Sequence, residues 1–507
     1  MKKIIKFLFS RMVIVGLLIA VQLAFIVVLI LSLSEKWVYV FWGLQVASLF
    51  VVLWIISKTD NPSYKLAWCI SILLLPLFGG LFYLMFGNKS LNKKLKTKIA
   101  DYAYDQYHHF DENEKIHSEL QEYNPLLYRQ SEYITRISGF PACKNTEASY
   151  FPLGEDKWVV LLQELKKAKK FIFMEYFIVR QGKMWDPVYE ILKQKSAEGV
   201  EVKFMYDDLG SIQTLPTGYD KIMRKAGIEV TVFNPFRPRL TSAMNYRDHR
   251  KITVIDGNVG FCGGINLADE YINAYEKHGH WKDTAVVLRG EAVRNLTLMF
   301  IHLWEFSNDI SIDLDRYMPT ERYESDGYIQ PFGDSPIDDY NVAENAYMQM
   351  INCAKKYVYI TSPYLILDNE MITALCLAAQ SGIDVRIITP HIADKWYVHM
   401  VTQSYYAQLI QSGVKIYEYT PGFIHAKMFV CDDEIAIVGT TNMDYRSFYL
   451  HFECGVSFYR SSIVGEVKRD ILNTIAISQE ITLEASRGIK RRFRLTRSIL
   501  RGFAPLM

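Results

Sequence analysis

His249 and Lys251 stand two residues apart in His249-Arg-Lys251-Ile-Thr-Val-Ile-Asp256, and Gly263-Gly-Ile-Asn266 follows. The arrangement returns as His425-Ala-Lys427-Met-Phe-Val-Cys-Asp432 with Gly439-Thr-Thr-Asn442. One such pair is a common coincidence of surface residues, but two complete copies at matching spacing point to chemistry. The inventory suits transfer at a phosphodiester without a metal. The anionic charge must be held through displacement, a task for two ammonium groups, Lys251 and Lys427, and two carboxamides, Asn266 and Asn442. A neutral imidazole attacks phosphorus while a second gives a proton to the leaving alkoxide, and an ordinary imidazole pKa of about 6.5 permits both near neutrality. One site therefore needs both His249 and His425. Each also needs an acceptor that fixes its tautomer, for which Asp283 in Trp281-Lys-Asp-Thr284 and Glu453 in His451-Phe-Glu-Cys454 are the candidates. A zinc centre is disfavoured, because protonated lysines are poor ligands and no Cys/His cluster of ligand spacing accompanies the histidines. His278 and His280 read as a loop pair beside Trp281, so neither metal nor cofactor is expected.

Strands must position these groups. Alternation places His249 with Lys251, and His425 with Lys427, on one face of each strand. Asp256 and Asp432 have the opposite parity, so although they belong to the catalytic motif they are expected to brace the strand end or the next turn. Gly257-Asn258 and Asp433-Glu434 read as turns into return strands that bring the asparagines back towards the histidines. Upstream, Ala168-Lys-Lys-Phe-Ile-Phe-Met-Glu-Tyr-Phe177 and Gly199-Val-Glu-Val-Lys-Phe-Met205 match Ala354-Lys-Lys-Tyr-Val-Tyr-Ile-Thr-Ser-Pro-Tyr364 and Gly382-Ile-Asp-Val-Arg-Ile-Ile388. Ala226–Val232 and Ser412–Tyr417 extend the match. Short β-branched and aromatic runs alternating with helix-length segments predict two like α/β domains. Glu175 and Tyr364, near the ends of corresponding strands, are possible pocket residues. The first copy alone carries an insertion, Phe236 to Asp248, rich in Pro and Arg, that reads as a loop near the site.

The doubled HxKxxxxD with its following GxxN resembles the phospholipase D superfamily, over roughly Glu155 to Arg460. Asn61-Pro-Ser, the Leu-Pro-Leu-Phe-Gly segment after it, and Asn442-Met-Asp444-Tyr-Arg446-Ser-Phe448 are similar to the bacterial cardiolipin synthases. That resemblance implies an α/β fold of two tandem phospholipase D-like domains, mixed sheets flanked by helices and related by a pseudo-two-fold axis, after an N-terminal α-helical transmembrane region. It also implies a ping-pong reaction. One phosphatidylglycerol gives its phosphatidyl group to His249 and releases glycerol; a second takes the group to form cardiolipin, with His425 as general acid and then base. The near symmetry of the copies leaves that order open on sequence alone. A departure between the copies is Gly264, where the second has Thr440. The rival readings are a phospholipase D-type hydrolase, a transferase with another acceptor, and an inactive membrane scaffold.

Net charge over the 507 residues is only +2, which argues against a broad nucleic-acid surface, while an apolar fraction of 50% gathers at the amino end. Residues 1–88 hold apolar runs at 12–34, 37–57 and 66–87, the last broken by Pro76, Gly79 and Gly80, so two or three membrane segments are expected. Lys89, Lys93, Lys94, Lys96 and Lys98 after them place the catalytic domains on the cytoplasmic side. A basic juxtamembrane linker (89–130), two repeats (131–325 and 326–486) and a basic amphipathic tail (487–507) complete the expected layout. The tail reads as a contact for anionic membrane lipids. Seven scattered cysteines without a CxxC pair indicate reduced, packed thiols.

Overall fold

The alternating runs fold as expected into two mixed sheets of matching order. The computed structural model describes residues 35–75, 113–235, 245–338, 340–488 and 491–506, with isolated positions at 24, 79, 80, 83 and 87. The first repeat supplies β1 (Thr146–Phe151), β2 (Phe171–Tyr176), β3 (Glu201–Asp207), β4 (Glu229–Phe233), β5 (Arg247–Asp248), β6 (Lys251–Ile255), β7 (Val259–Gly263), β8 (His280–Lys282) and β9 (Ala285–Gly290). The second supplies β10 (Tyr328–Asp334), β11 (Tyr357–Thr361), β12 (Asp384–Pro390), β13 (Lys415–Tyr419), β14 (Gly422–Ile424), β15 (Met428–Cys431), β16 (Ile435–Gly439), β17 (His451–Tyr459) and β18 (Gln479–Glu480). One sheet runs β1-β9-β7-β6-β2-β3-β4; the other runs β10-β17-β16-β15-β11-β12-β13, with β18 added at its edge. In each, three parallel strands (β2, β3, β4; β11, β12, β13) are followed by antiparallel partners, with Met174 opposite Thr253 and Ile360 opposite Phe429. Parallel neighbours require crossovers, which the helices Trp185–Ala197 and Asn369–Gln380 provide. Their apolar faces are buried: Trp185, Val188 and Leu192 join Ile172, Met174 and Phe204 in the first repeat's core. Complete burial of such side chains contributes about 1.5–3 kcal/mol each.

The turn that ends each motif strand is built around its aspartate. Asp256 (φ +52°) and Asp432 (φ +53°) adopt the left-handed conformation that Asp tolerates better than most residues. Asp256 accepts the backbone N–H groups of Lys169, Lys170 and Phe171 at 2.8, 2.7 and 2.9 Å. Asp432 accepts those of Lys355, Lys356 and Tyr357 at 2.6, 2.8 and 2.9 Å. Each carboxylate thus ties its turn to the start of the neighbouring strand, β2 or β11. At the next position Gly257 is at φ +73°, and a Cβ there would meet Tyr317 O at 2.6 Å. Replacing either aspartate with alanine is expected to destabilise the fold by about 2 kcal/mol, since three donors lose a charged acceptor. Denaturant titration measures this, and a shift within error for both variants would remove the bracing role.

The helix Pro125–Ser138 straddles the expected boundary at 131 yet packs on the second repeat. Gln330 of β10 donates to the carbonyls of Ser131 and Phe140, and Cys143 pairs with Ile329. The segment that precedes the first sheet in sequence thus covers the second, a choice made by tertiary packing that local sequence does not record.

The N-terminal unit is described in part. The helix Glu35–Ile56 covers most of the expected 37–57 run, and Pro62–Leu74 covers the start of 66–87. Asn61 caps the second by accepting Ser63 N–H at 2.9 Å, and the helix stops ahead of Pro76, as proline geometry demands. Val52, Ile55, Trp68, Cys69 and Ile72 form a small core, while Tyr39, Trp42, Phe50, Leu53, Leu66 and Leu74 remain exposed. Among the described residues, no helix is long and apolar enough to cross a membrane. Apart from residue 24, the run 12–34 lies outside the described residues, as do the linker at 89–112 and the insertion at 236–244.

Candidate active site

The two histidines are positioned across the repeats. Arg247 and Asp248 of β5 pair in parallel with His451 and Phe452 of β17, and His249 N–H donates to Phe452 O at 2.9 Å. In the mirror arrangement β14 pairs in parallel with β8, and His425 N–H donates to Lys282 O at 2.7 Å. Each histidine segment is therefore laid beside the opposite repeat's strand, one residue short of that strand's carboxylate. His249 Nδ1 lies 2.9 and 3.0 Å from the Glu453 carboxylate oxygens, and His425 Nδ1 lies 2.6 Å from Asp283 Oδ2. An anionic acceptor at Nδ1 holds the proton there and leaves the Nε2 lone pair free.

This differs in one respect from strand alternation. β6 begins only at Lys251 and β15 only at Met428, so both histidines precede their own strands. Their backbone is taken up by the partner repeat instead, and each lysine turns back: Lys251 Nζ donates to His249 O, and Lys427 Nζ to His425 O.

The carboxylates are seated by different means. Asp283 Oδ1 accepts Thr284 N–H at 2.8 Å, and a Cβ on Gly264 would meet that oxygen at 2.1 Å. Where the second repeat has Thr440, the hydroxyl donates to Glu453 Oε2. The departure at Gly264 is thus matched to the shorter acid: glycine leaves the space that Asp283 fills, while threonine hydrogen-bonds the longer Glu453.

Asn266 accepts Ile178 N–H at 2.9 Å and donates to Tyr271 OH at 2.8 Å, and the Tyr271 ring lies 5.5 Å from His425. Asn442 is buried, and its Oδ1 has no hydrogen-bond partner, so that acceptor is open to a donor. Tyr364 donates to Asp394 at 2.6 Å. Glu175 is fully buried, 4.0 Å from Arg250, where burial and neighbouring Asp248 push its carboxyl well up. It lies in the interior beside Arg250 and Asp248 and not on an open surface.

Burial governs the electrostatics. It lowers Lys427 to about 7 and Lys251 to about 8. His425 falls to about 4, chiefly by burial and then by Lys427, and His249 falls well below the usual range through burial, both lysines and His425. The crossed contacts of His249 with Glu453 and of His425 with Asp283 bring groups of both repeats together. Burial thus keeps the imidazoles neutral and the lysines near the point of losing a proton. An anionic phosphodiester favours the protonated lysines, so kcat/KM should fall as pH rises through about 7 to 8, while kcat holds to higher pH. A pH–rate profile flat across that interval for kcat/KM would sink this reading.

His451 and Thr440 have contacts in the site that their places in the sequence do not reveal. His451 is 9% exposed, its ring 5.3 Å from that of His249 and its Nδ1 3.6 Å from Glu453 Oε1. The available signal was its spacing, two residues before Glu453, which on a strand shares its face. In the first repeat the same place is held by Trp281, 5.4 Å from His425.

The profile of a family described as cardiolipin synthase, phospholipase D-like domain, matches residues 161–304 and 347–475. A second, described as phospholipase D-nuclease N-terminal, matches 46–88. An uncharacterized protein of Streptococcus mutans is 42% identical over 90% of this chain and 99% of its own length. A cardiolipin synthase of Halalkalibacterium halodurans is 35% identical over 92% of this chain and 93% of its own. The crystal structure of a phosphatidylserine synthase from Haemophilus influenzae shares the fold at a TM-score of 0.57 and 14% identity, covering 76% of this chain and 98% of that one.

Proposed function

This chain belongs to the cardiolipin synthase family of phospholipase D-like proteins, and from that membership we propose that it forms cardiolipin and glycerol from two molecules of phosphatidylglycerol. The observation that carries the reading is the crossed pair of His–carboxylate contacts, His249 with Glu453 and His425 with Asp283, beside two buried lysines. In this mechanism His249 Nε2 attacks phosphorus and the bond to the glycerol oxygen breaks. His425 supplies the proton that leaves with glycerol. A hydroxyl of the second phosphatidylglycerol then attacks the phosphatidyl-histidine, giving its proton to His425, and His249 is restored. Lys251, Lys427, Asn266 and Asn442 hold the non-bridging oxygens. His425, kept neutral by burial, is favoured to protonate once the substrate's negative charge lies beside it.

Membrane association accords with the N-terminal family match at 46–88. The exposed aromatic and aliphatic side chains of the helices Glu35–Ile56 and Pro62–Leu74, together with the apolar run 12–34, support anchoring in the bilayer with the catalytic repeats on the cytoplasmic side. The basic sequence of the tail, 487–507, supports contact with anionic lipid. Incubating the purified full-length chain with phosphatidylglycerol in detergent tests the reaction: cardiolipin and glycerol are expected in equal amounts. Phosphatidic acid as the sole lipid product would replace transfer by hydrolysis. Adding phosphatidylethanolamine shows whether a different acceptor competes.

A further inference from the structure

His249, His451 and Glu453 each offer one metal-ligating atom, and the three lie within 4.8 Å of one another. The two His Nδ1 atoms face the same carboxylate oxygen, at 2.9 Å for His249 and 3.6 Å for His451. Tetrahedral zinc, with ligands about 2.0–2.2 Å away, sets its donors about 3.3–3.5 Å apart, close to this spacing. A second observation also points to a ligand: His451 Nδ1 is buried and has no hydrogen-bond partner, although nine-tenths of the residue is shielded from solvent. All three residues are buried, which favours a borderline-soft cation with imidazole ligands over strongly hydrated Mg2+.

We propose that His249, His451 and Glu453 form an inhibitory site for Zn2+ or a similar transition-metal ion. The inhibition follows from proton placement. Metal-free, His249 carries its proton on Nδ1, facing Glu453, and presents the Nε2 lone pair. Coordination through Nδ1 needs a lone pair on Nδ1 itself, so the proton of the neutral ring moves from Nδ1 to Nε2 with no net loss. An Nε2–H cannot attack phosphorus. Glu453 is drawn to the cation at the same time and ceases to orient the ring. His425 escapes this fate, because Trp281 stands where His451 would be.

The full-length chain in detergent, stripped with EDTA and free of lipid substrate, is titrated with Co2+ and with Zn2+. One ion per chain should bind, Co2+ giving the visible absorption of a tetrahedral nitrogen–oxygen site, and Mg2+ should not compete. Lipid turnover should fall as the site fills and return on adding EDTA. In His451→Asn, zinc affinity and zinc sensitivity, each taken relative to that variant's own metal-free state, should weaken by about tenfold or more. An unchanged zinc affinity in His451→Asn overturns the proposal. So does a wild-type chain that shows no tetrahedral Co2+ spectrum, a result that does not depend on any variant folding. The binding measurement is made without substrate, so it stands apart from the identity of the lipid acceptor.

Discussion

His249→Ala and His425→Ala should each lower turnover by about four orders of magnitude or more, the scale seen when a nucleophile or its proton-transfer partner is removed from a covalent mechanism. A loss of that size corresponds to about 5.5 kcal/mol of transition-state stabilisation. The two variants should differ in what they accumulate. His425→Ala keeps the attacking nitrogen, so a single turnover with lipid labelled at phosphorus should leave acid-labile label on the protein. His249→Ala should leave none. The opposite pattern would exchange the roles of the two imidazoles, and an unaltered lipid profile in cells carrying either variant would support a scaffold in place of an enzyme. Thermal melting of both variants separates loss of chemistry from loss of fold.

Removing the charge of either orienting acid should cost nearly as much. Glu453→Gln and Asp283→Asn keep size and polarity, but an amide can present its NH2 to Nδ1 and draw the imidazole proton to Nε2, where the lone pair is needed. A comparable change in a serine protease lowers kcat by about 10,000-fold, and a loss of about 1,000-fold or more is expected here. Because Glu453 serves His249 and Asp283 serves His425, Glu453→Gln combined with His249→Ala should be little worse than His249→Ala alone. Full additivity of the two losses would show that Glu453 acts on something other than that ring.

Much of this was legible in the residues. The two motif copies, the strand runs around Phe171–Tyr176 and Tyr357–Thr361, and the parity that separates Asp256 and Asp432 from the lysines are local patterns, and local patterns carry strand and turn geometry. Asp283 and Glu453 were legible as acceptors. What chain spacing left out was the exchange of partners, since His249 meets an acid 204 positions away and His425 one 142 positions away. The same distance concealed His451, whose significance comes from the ring of His249 and not from its neighbours in the chain. The packing of Pro125–Ser138 on the later repeat was equally illegible, because an amphipathic helix shows which face is apolar without showing what will cover it.

The exchange of carboxylates also bears on how such a protein comes to exist. A lone repeat holds an imidazole and an acid that do not serve each other, so it would first become competent by associating with an identical copy. Every change in that copy would then occur twice. Joining the copies in one polypeptide releases them from enforced identity, and the pairs Asp283 and Glu453, Gly264 and Thr440, and Trp281 and His451 record that release. Copies joined in one chain can differ, which lets the giving and receiving sides of a transfer reaction be tuned independently.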